Sequence, residues 1–227
     1  MHAPRPARGF TLIELLVAIT VMALLAIVSW RGLDAMARAT GQNQQRADSV
    51  LTLQTALAQW NADLDAVAPL AQTRPIDWDG RVLRITRHGS DPLAPAIHVV
   101  AWTLRADAEG MRWRRWQSAP FSTRGEWEQA WSAAASWAQG AAVATLERGA
   151  DVALMPVERW QLAWFLDNQW IPAGDLPATD PTGPAAATAA GRVPNGVRLV
   201  LTLPPGDALA GVLTRDWVRP TVGAPRS

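Results

Sequence analysis

The chain of 227 residues contains no cysteine, no lysine and no tyrosine, and its histidines number only three. Without cysteine, the fold has to be held by its core rather than by disulfides, and thiol catalysis and thiolate metal sites are excluded. All 21 basic residues are therefore arginines, and 20 acidic residues leave a net charge of +1. This balance argues against a surface built to bind nucleic acid.

Long apolar runs are also scarce. The one exception is residues 10–30, in which Glu14 is the single charged residue. A helix of this length can span the hydrocarbon core of a bilayer. Arg5 and Arg8 precede it, which favours a cytoplasmic N-terminus and export of the C-terminal part. A secretory signal peptide has a shorter apolar core, followed by a cleavage site. The sequence therefore predicts a single-pass membrane anchor.

The start of the apolar run reads Gly9-Phe10-Thr11-Leu12-Ile13-Glu14. This motif resembles the class III signal of type IV pilins and of type II secretion pseudopilins. The resemblance implies that a prepilin peptidase cleaves the chain between Gly9 and Phe10 and methylates the new amino group of Phe10. Glu14 would then be the fifth residue of the mature chain, with a role in subunit assembly.

The carboxylate of Glu14 is costly to bury in a membrane, and this cost predicts a partner. The amino group that cleavage frees on Phe10 of a neighbouring subunit is suitable, because a buried ion pair costs less than a lone charge. Such a pair would fix the register of staggered helices. The alternative is that Glu14 reaches toward water from the end of a plain membrane anchor.

The helical pattern continues beyond the apolar run. Between Val50 and Leu64, apolar residues recur at spacings of three and four and mark one helix face, with Asp63 on the wetter side. Pro69 indicates where the helix ends. We therefore expect a cleaved leader at 1–9, a transmembrane half-helix at 10–30, a periplasmic half-helix at 31–68, and a β-rich periplasmic domain at 69–227 with a flexible loop near 173–192.

The downstream sequence changes to short alternating segments bounded by turn residues. Strands are predicted at 82–87, 142–148 and 157–166. Two hairpins are predicted, one from 97–105 and 111–117 with a five-residue loop, the other from 197–203 and 211–218. Residues 126–138 favour a short helix with tryptophans on its packed face. The fold class is α+β and type IV pilin-like, with a long N-terminal helix packed on an antiparallel β-sheet domain.

Three segments carry a second, more specific resemblance, and they are residues 30–34, residues 157–166 followed by Trp170, and residues 193–201. They resemble the minor pseudopilin J family of type II secretion. That family implies a non-enzymatic subunit in the tip of a periplasmic pseudopilus, which initiates assembly and helps export folded proteins across the outer membrane. It also implies an inner-membrane anchor and a periplasmic C-terminal domain.

The partners implied are the I-, K- and H-type minor pseudopilins, the major pseudopilin, the prepilin peptidase and the inner-membrane secretion platform. The helix face and exposed tryptophans would carry the contacts. The same N-terminal motif also fits a minor pilin of a type IV pilus. A periplasmic binding domain on a signal anchor is the remaining alternative.

Chemistry-bearing residues are sparse in the exported part, and we predict no catalytic residue, cofactor or metal. His98 alternates within an apolar strand, which favours a structural histidine. Asp175 and Asp180 could in principle bind a hard cation, but calcium needs several clustered oxygens and two scattered acids give it weak support. Residues 111–116 mix arginine with tryptophan, as single-strand binders do. In a strand, this alternation favours core tryptophans and solvated arginines instead.

Overall fold

The structure, a computed structural model, describes residues 10–91, 93–140, 151–175, 193–206 and 208–220. A long helix, α1 (Leu12–Asp65), is followed by antiparallel strands and a second helix, α2 (Arg124–Ala138). This order confirms the predicted α+β, pilin-like fold class. The chain divides into two compact units, Met1–Asp48 and Ser49–Ser227. The predicted domain limits at 9, 30 and 68 stay a prediction.

The described part of the first unit is the N-terminal portion of α1, whose side chains are exposed as far as residue 48. By length and composition, α1 is the one described helix that could cross a membrane. Its exposed apolar residues form a far larger surface than a soluble monomer normally leaves in water. This part of the helix therefore requires lipid or other helices around it.

The second unit contains two antiparallel sheets. The first has five strands in chain order, and they are β1 (Ile76–Trp78), β2 (Val82–His88), β3 (Ile97–Asp107), β4 (Gly110–Gln117) and β5 (Asp151–Pro156). The second has the order β7-β6-β8-β9, formed by β6 (Arg159–Leu166), β7 (Gln169–Pro172), β8 (Gly196–Leu203) and β9 (Gly211–Val218). Most of the predicted strands are thus confirmed.

The first predicted hairpin forms between β3 and β4, but its predicted five-residue loop is wrong. Pairing continues to Asp107 and Gly110, so that only Ala108 and Glu109 lie between the strands. Asp107 Oδ1 accepts the Glu109 N–H at 2.9 Å, and Gly110 has a φ of 122°, which only glycine adopts freely. The second predicted hairpin is confirmed as β8 and β9.

Two predicted features fall largely outside the described residues. The strand predicted at 142–148 lies outside them entirely. The flexible loop predicted at 173–192 does so from residue 176 onward, and its first residues, Ala173–Asp175, form a 3-10 helix. The described residues therefore test neither the strand nor the loop, and both stay predictions.

The core is built mainly from tryptophan, leucine and β-branched residues. The outer half of α1 places Trp60 and Leu64 between the two sheets, on the face that the spacing predicted. Helix α2 covers the opposite face of the first sheet with a second cluster, confirming the tryptophan face predicted there. This second cluster contains Trp116, Trp127, Trp131 and Trp137.

The burial of tryptophan corrects two expectations. Among the 13 tryptophans, only Trp30 in α1 is exposed, so the expected contact surface of exposed tryptophans is wrong. The arginines of β4 are not solvated either. Arg114 pairs with Asp151 at 2.9 Å, and Arg115 pairs with Asp63 at 2.8 Å. These arginines are half-buried because each meets a carboxylate from another element.

The position of Asp63 was also predicted wrongly, because this residue is fully buried rather than on the wetter side of α1. The reason is a set of donors that converge on its carboxylate from β2, β3 and β4. A buried carboxylate is tolerated where ion pairs and hydrogen bonds satisfy its oxygens.

Candidate assembly site and its anchor

The N-terminus of α1 holds the Glu14 side chain by local hydrogen bonds. The Glu14 carboxylate accepts the Thr11 N–H at 2.9 Å and the Thr11 hydroxyl at 2.8 Å. The Glu14 N–H lies 3.4 Å from Thr11 Oγ1 and donates to it. These are the reciprocal contacts of a capping box, in which residues three apart satisfy each other's free groups at a helix start.

This capping role was missed at the sequence level, although the Thr-x-x-Glu spacing of Thr11 and Glu14 was visible. It gives Glu14 a structural task within its own chain. Neutral donors satisfy the oxygens of a carboxylate but leave its charge in place. A Glu14 buried in lipid therefore still lacks a cation, and the box does not replace the predicted ion pair.

The surroundings of Glu14 are open to another chain. Phe10 is 89% exposed, and Glu14 and its helical neighbours are exposed as well. Gly9 lies outside the described residues. The cleavage site at Gly9–Phe10, the methylation of Phe10 and the assembly role of Glu14 stay predictions, and the open surface leaves room for a neighbouring helix.

The other end of α1 is anchored through Asp63. Its Oδ2 accepts from Arg115 Nε and Trp102 Nε1, both at 2.8 Å, and its Oδ1 accepts from Arg115 Nη2 at 2.9 Å. Arg87 also pairs with Asp63. Gln59, one turn earlier on α1, donates to Oδ1 at 2.9 Å. The carboxylate thus joins α1 to three strands of the first sheet.

A second bond ties the same turn of α1 to the other sheet. Trp217 Nε1 on β9 donates to Asp65 Oδ1 at 2.7 Å. Acidic residues at a helix C-terminus are unfavourable for the helix dipole. Here each aspartate has a donor that compensates for this. Asp63 has arginine and tryptophan partners in the first sheet, and Asp65 has Trp217 in the second. The last turn of α1 is therefore bonded to both sheets of the β-rich domain.

The remaining candidate residues are accounted for within the fold. His98 Nδ1 lies 3.0 Å from the Ser118 carbonyl oxygen, which suits the structural role predicted for it. Asp180 lies outside the described residues. Within the described ranges, no group of three or more metal-ligating side chains occurs.

The arginines of β4 are engaged with acids. Arg112 pairs with Glu109, and Arg114 binds Asp151 through two nitrogens. A surface that binds single-stranded nucleic acid needs cations available for phosphates. The two arginines instead neutralise carboxylates of the β3–β4 turn and of β5.

A comparison with family models gives a match at the N-terminus. Residues 4–30 match the family model described as the prokaryotic N-terminal methylation motif. The matched range includes Gly9, Phe10 and Glu14. Together with the long apolar helix and the antiparallel sheets, this match supports a type IV pilin-like protein. A comparison with curated proteins found no match.

Proposed function

We propose that this protein is a non-enzymatic minor pseudopilin of the J type in a type II secretion system. It would lie in the tip complex of the periplasmic pseudopilus, initiate assembly and help export folded proteins across the outer membrane. One observation carries the proposal. A prepilin-type N-terminal motif leads directly into α1, and the outer end of the same helix is part of the core of a β-rich domain.

The proposed topology follows from the charges around the apolar run. Arg5 and Arg8 stay in the cytoplasm, residues 10–30 cross the inner membrane, and the β-rich domain lies in the periplasm. Prepilin peptidase cleaves after Gly9 and methylates Phe10. Glu14 then meets the Phe10 amine of an adjacent subunit, while Thr11 holds its carboxylate near the helix start.

Assignment to the J type is supported by where its resembling segments lie. Two of the three fall on β6 and β8, which are adjacent strands with Leu162 opposite Leu199. The resemblance thus covers a continuous part of the second sheet. The proposed partners are the I-, K- and H-type minor pseudopilins, the major pseudopilin and the inner-membrane secretion platform.

Cleavage provides the first test. The full chain is expressed with a prepilin peptidase, extracted from membranes and measured by mass spectrometry. We expect an N-terminal Phe10 carrying one methyl group. An intact Met1, or a cut after Trp30, would contradict the proposal. Expression without the peptidase is the control, and it should leave Gly9 attached.

A minor pilin of a type IV pilus shares the same N-terminal motif, and this is the second candidate function. Deletion of the gene separates the two. The secretion proposal expects loss of exported proteins with surface pili intact. Loss of pili with secretion intact would favour the pilus function.

A further inference from the structure

The second sheet has an open edge at β9. In the order β7-β6-β8-β9, this strand is outermost, and no described strand pairs with its far side. The Arg219 N–H donates to the Asn195 carbonyl at 2.9 Å, just beyond the end of the β8–β9 ladder. Hydrogen-bonded and non-hydrogen-bonded positions alternate along an antiparallel pair. The residues whose backbone N–H and C=O groups face the open edge are therefore Val212, Thr214, Asp216 and Val218.

The other sheet edges are formed by strands that are short, contain proline or pair irregularly, and β9 has none of these features. Strand β1 has three residues and β7 has four, ending in Pro172. Strand β5 ends in Pro156, and its pairing with β4 is irregular between Trp113 and Arg114. Strand β9 has eight residues, contains no proline and stays in register with β8 throughout. Short edges, prolines and bulges prevent unwanted strand pairing, so an edge without them is available to a partner.

The side chains of β9 add a pattern to this edge. Val212 is 71% exposed and Val218 is 55% exposed, and both lie on one face of the sheet. Arg215 lies on the opposite face and is exposed, with no carboxylate partner among the described residues. Its neighbour Asp216 is engaged by Arg198 at 2.7 Å. The edge thus offers two apolar positions and, midway between them, an exposed cation that no carboxylate of the described residues pairs with.

We propose that the β9 edge binds an extended strand of another protein whose first and seventh residues are apolar and whose fourth residue is acidic. An added strand places its side chains directly opposite those of β9, on the same faces. Residues opposite Val212 and Val218 are six apart, and the residue opposite Arg215 lies midway. The pattern is symmetric, so it holds for either strand direction. The inference does not rest on the proposed function.

The test uses the full chain in detergent and a fluorescent seven-residue peptide with valine at both ends, glutamate at the fourth position and threonine elsewhere. We expect saturable binding in fluorescence anisotropy. Thr214→Pro removes an outward N–H without touching the β8 ladder and should weaken binding about fivefold. Thr214→Ala keeps that N–H and is the matched control, with binding close to that of the wild type.

A charge swap tests the acidic position independently of whether Thr214→Pro folds. Arg215→Glu should weaken binding of the glutamate peptide about threefold and favour a peptide with lysine at the same position. Absence of saturable binding, or equal binding of both peptides to both proteins, would overturn the proposal. Self-association of the wild type that Thr214→Pro abolishes would also overturn it, because a second copy would then fill the edge.

Discussion

At the scale of single residues, Glu14 combines a local task with a predicted one between subunits. Its carboxylate caps α1 through Thr11, and its charge remains available for an amine. Two substitutions separate these tasks. Glu14→Gln keeps a side-chain acceptor for the cap but loses the charge, whereas Glu14→Ala loses both.

We expect both Glu14 variants to insert into the membrane and both to recover fewer partner subunits in a pull-down of the tip complex. The measure is the amount of partner per inserted protein. If Glu14→Gln recovers partners as well as the wild type, the charge has no assembly role and Glu14 acts only as a cap. Thr11→Ser keeps the hydroxyl and serves as the control.

Asp63 forms the ion pairs that hold the end of α1 against the first sheet. Asp63→Asn removes the charge that balances Arg87 and Arg115, leaving two guanidinium groups beside a neutral amide. Breaking a buried ion pair by removing one partner costs about 3–5 kcal/mol. We expect a loss of this size in the free energy of unfolding, measured with urea on the protein in detergent.

Asp65→Asn is the matched control for Asp63→Asn, since it makes the same change two residues away on the same helix. An asparagine there still offers an oxygen to Trp217 Nε1, so its effect should stay below about 1 kcal/mol. Equal losses for the two variants would show that the arginine pairs of Asp63 contribute little.

At the scale of elements, α2 starts with a capping box of its own. Glu126 accepts the backbone N–H groups of Ser122 and Thr123, both at 2.9 Å. The backbone bond from Ser122, followed by those from Thr123, lowers the pKa of Glu126 below its ordinary value of 4.5. A lowered folded-state pKa stabilises the protein above the unfolded-state value, and this stabilisation is lost as the pH falls through the folded-state pKa.

We therefore expect the urea midpoint of the wild type to fall as the pH drops below about 4.5, and Glu126→Gln to fall less steeply there. Thr123→Ser keeps the capping hydroxyl and should follow the wild-type profile. Parallel pH profiles for Glu126→Gln and the wild type would exclude the box as a source of acid sensitivity.

Elements with a strong period were predictable, while their long-range partners were not. The alternation in β3, β4, β8 and β9 and the spacing of Trp60 and Leu64 on α1 follow from side-chain geometry alone. Asp63 was misplaced because its arginine partners lie 24 and 52 residues further along the chain. No local sequence pattern indicates that the guanidinium groups of Arg87 on β2 and Arg115 on β4 will converge on one residue of the helix.

The candidate site divides in the same way. The Thr11 and Glu14 capping box is a local three-residue spacing, so the sequence contained it. The exposure of tryptophan could not be judged from composition, because α1 and the second sheet cover one face of the first sheet and α2 covers the other. Only the assembled layers decide that Trp113 faces α1 and Trp116 faces α2.

At the scale of the whole molecule, the outer end of α1 belongs to the β-rich unit rather than to a linker. The unit from Ser49 onward contains both tryptophan cores and the Asp63 cluster. We therefore expect a protein that begins at Ser49 to fold as a soluble domain with cooperative urea unfolding, measured by circular dichroism. Asp63→Asn should destabilise it by the same amount as it destabilises the full chain.

A shorter protein that begins at Ala66 is the decisive comparison, because it lacks Trp60, Asp63 and Leu64. Its two sheets would expose Trp102 and Trp113 to water and leave Arg87 and Arg115 without their carboxylate. We expect this protein to lack cooperative unfolding and to aggregate. If it unfolds as cooperatively as the protein from Ser49, α1 is an attached anchor and not part of the core. Loss of folding on removal of residues 49–65 would instead mean that the helix carrying Glu14 also completes the core of the β-rich domain.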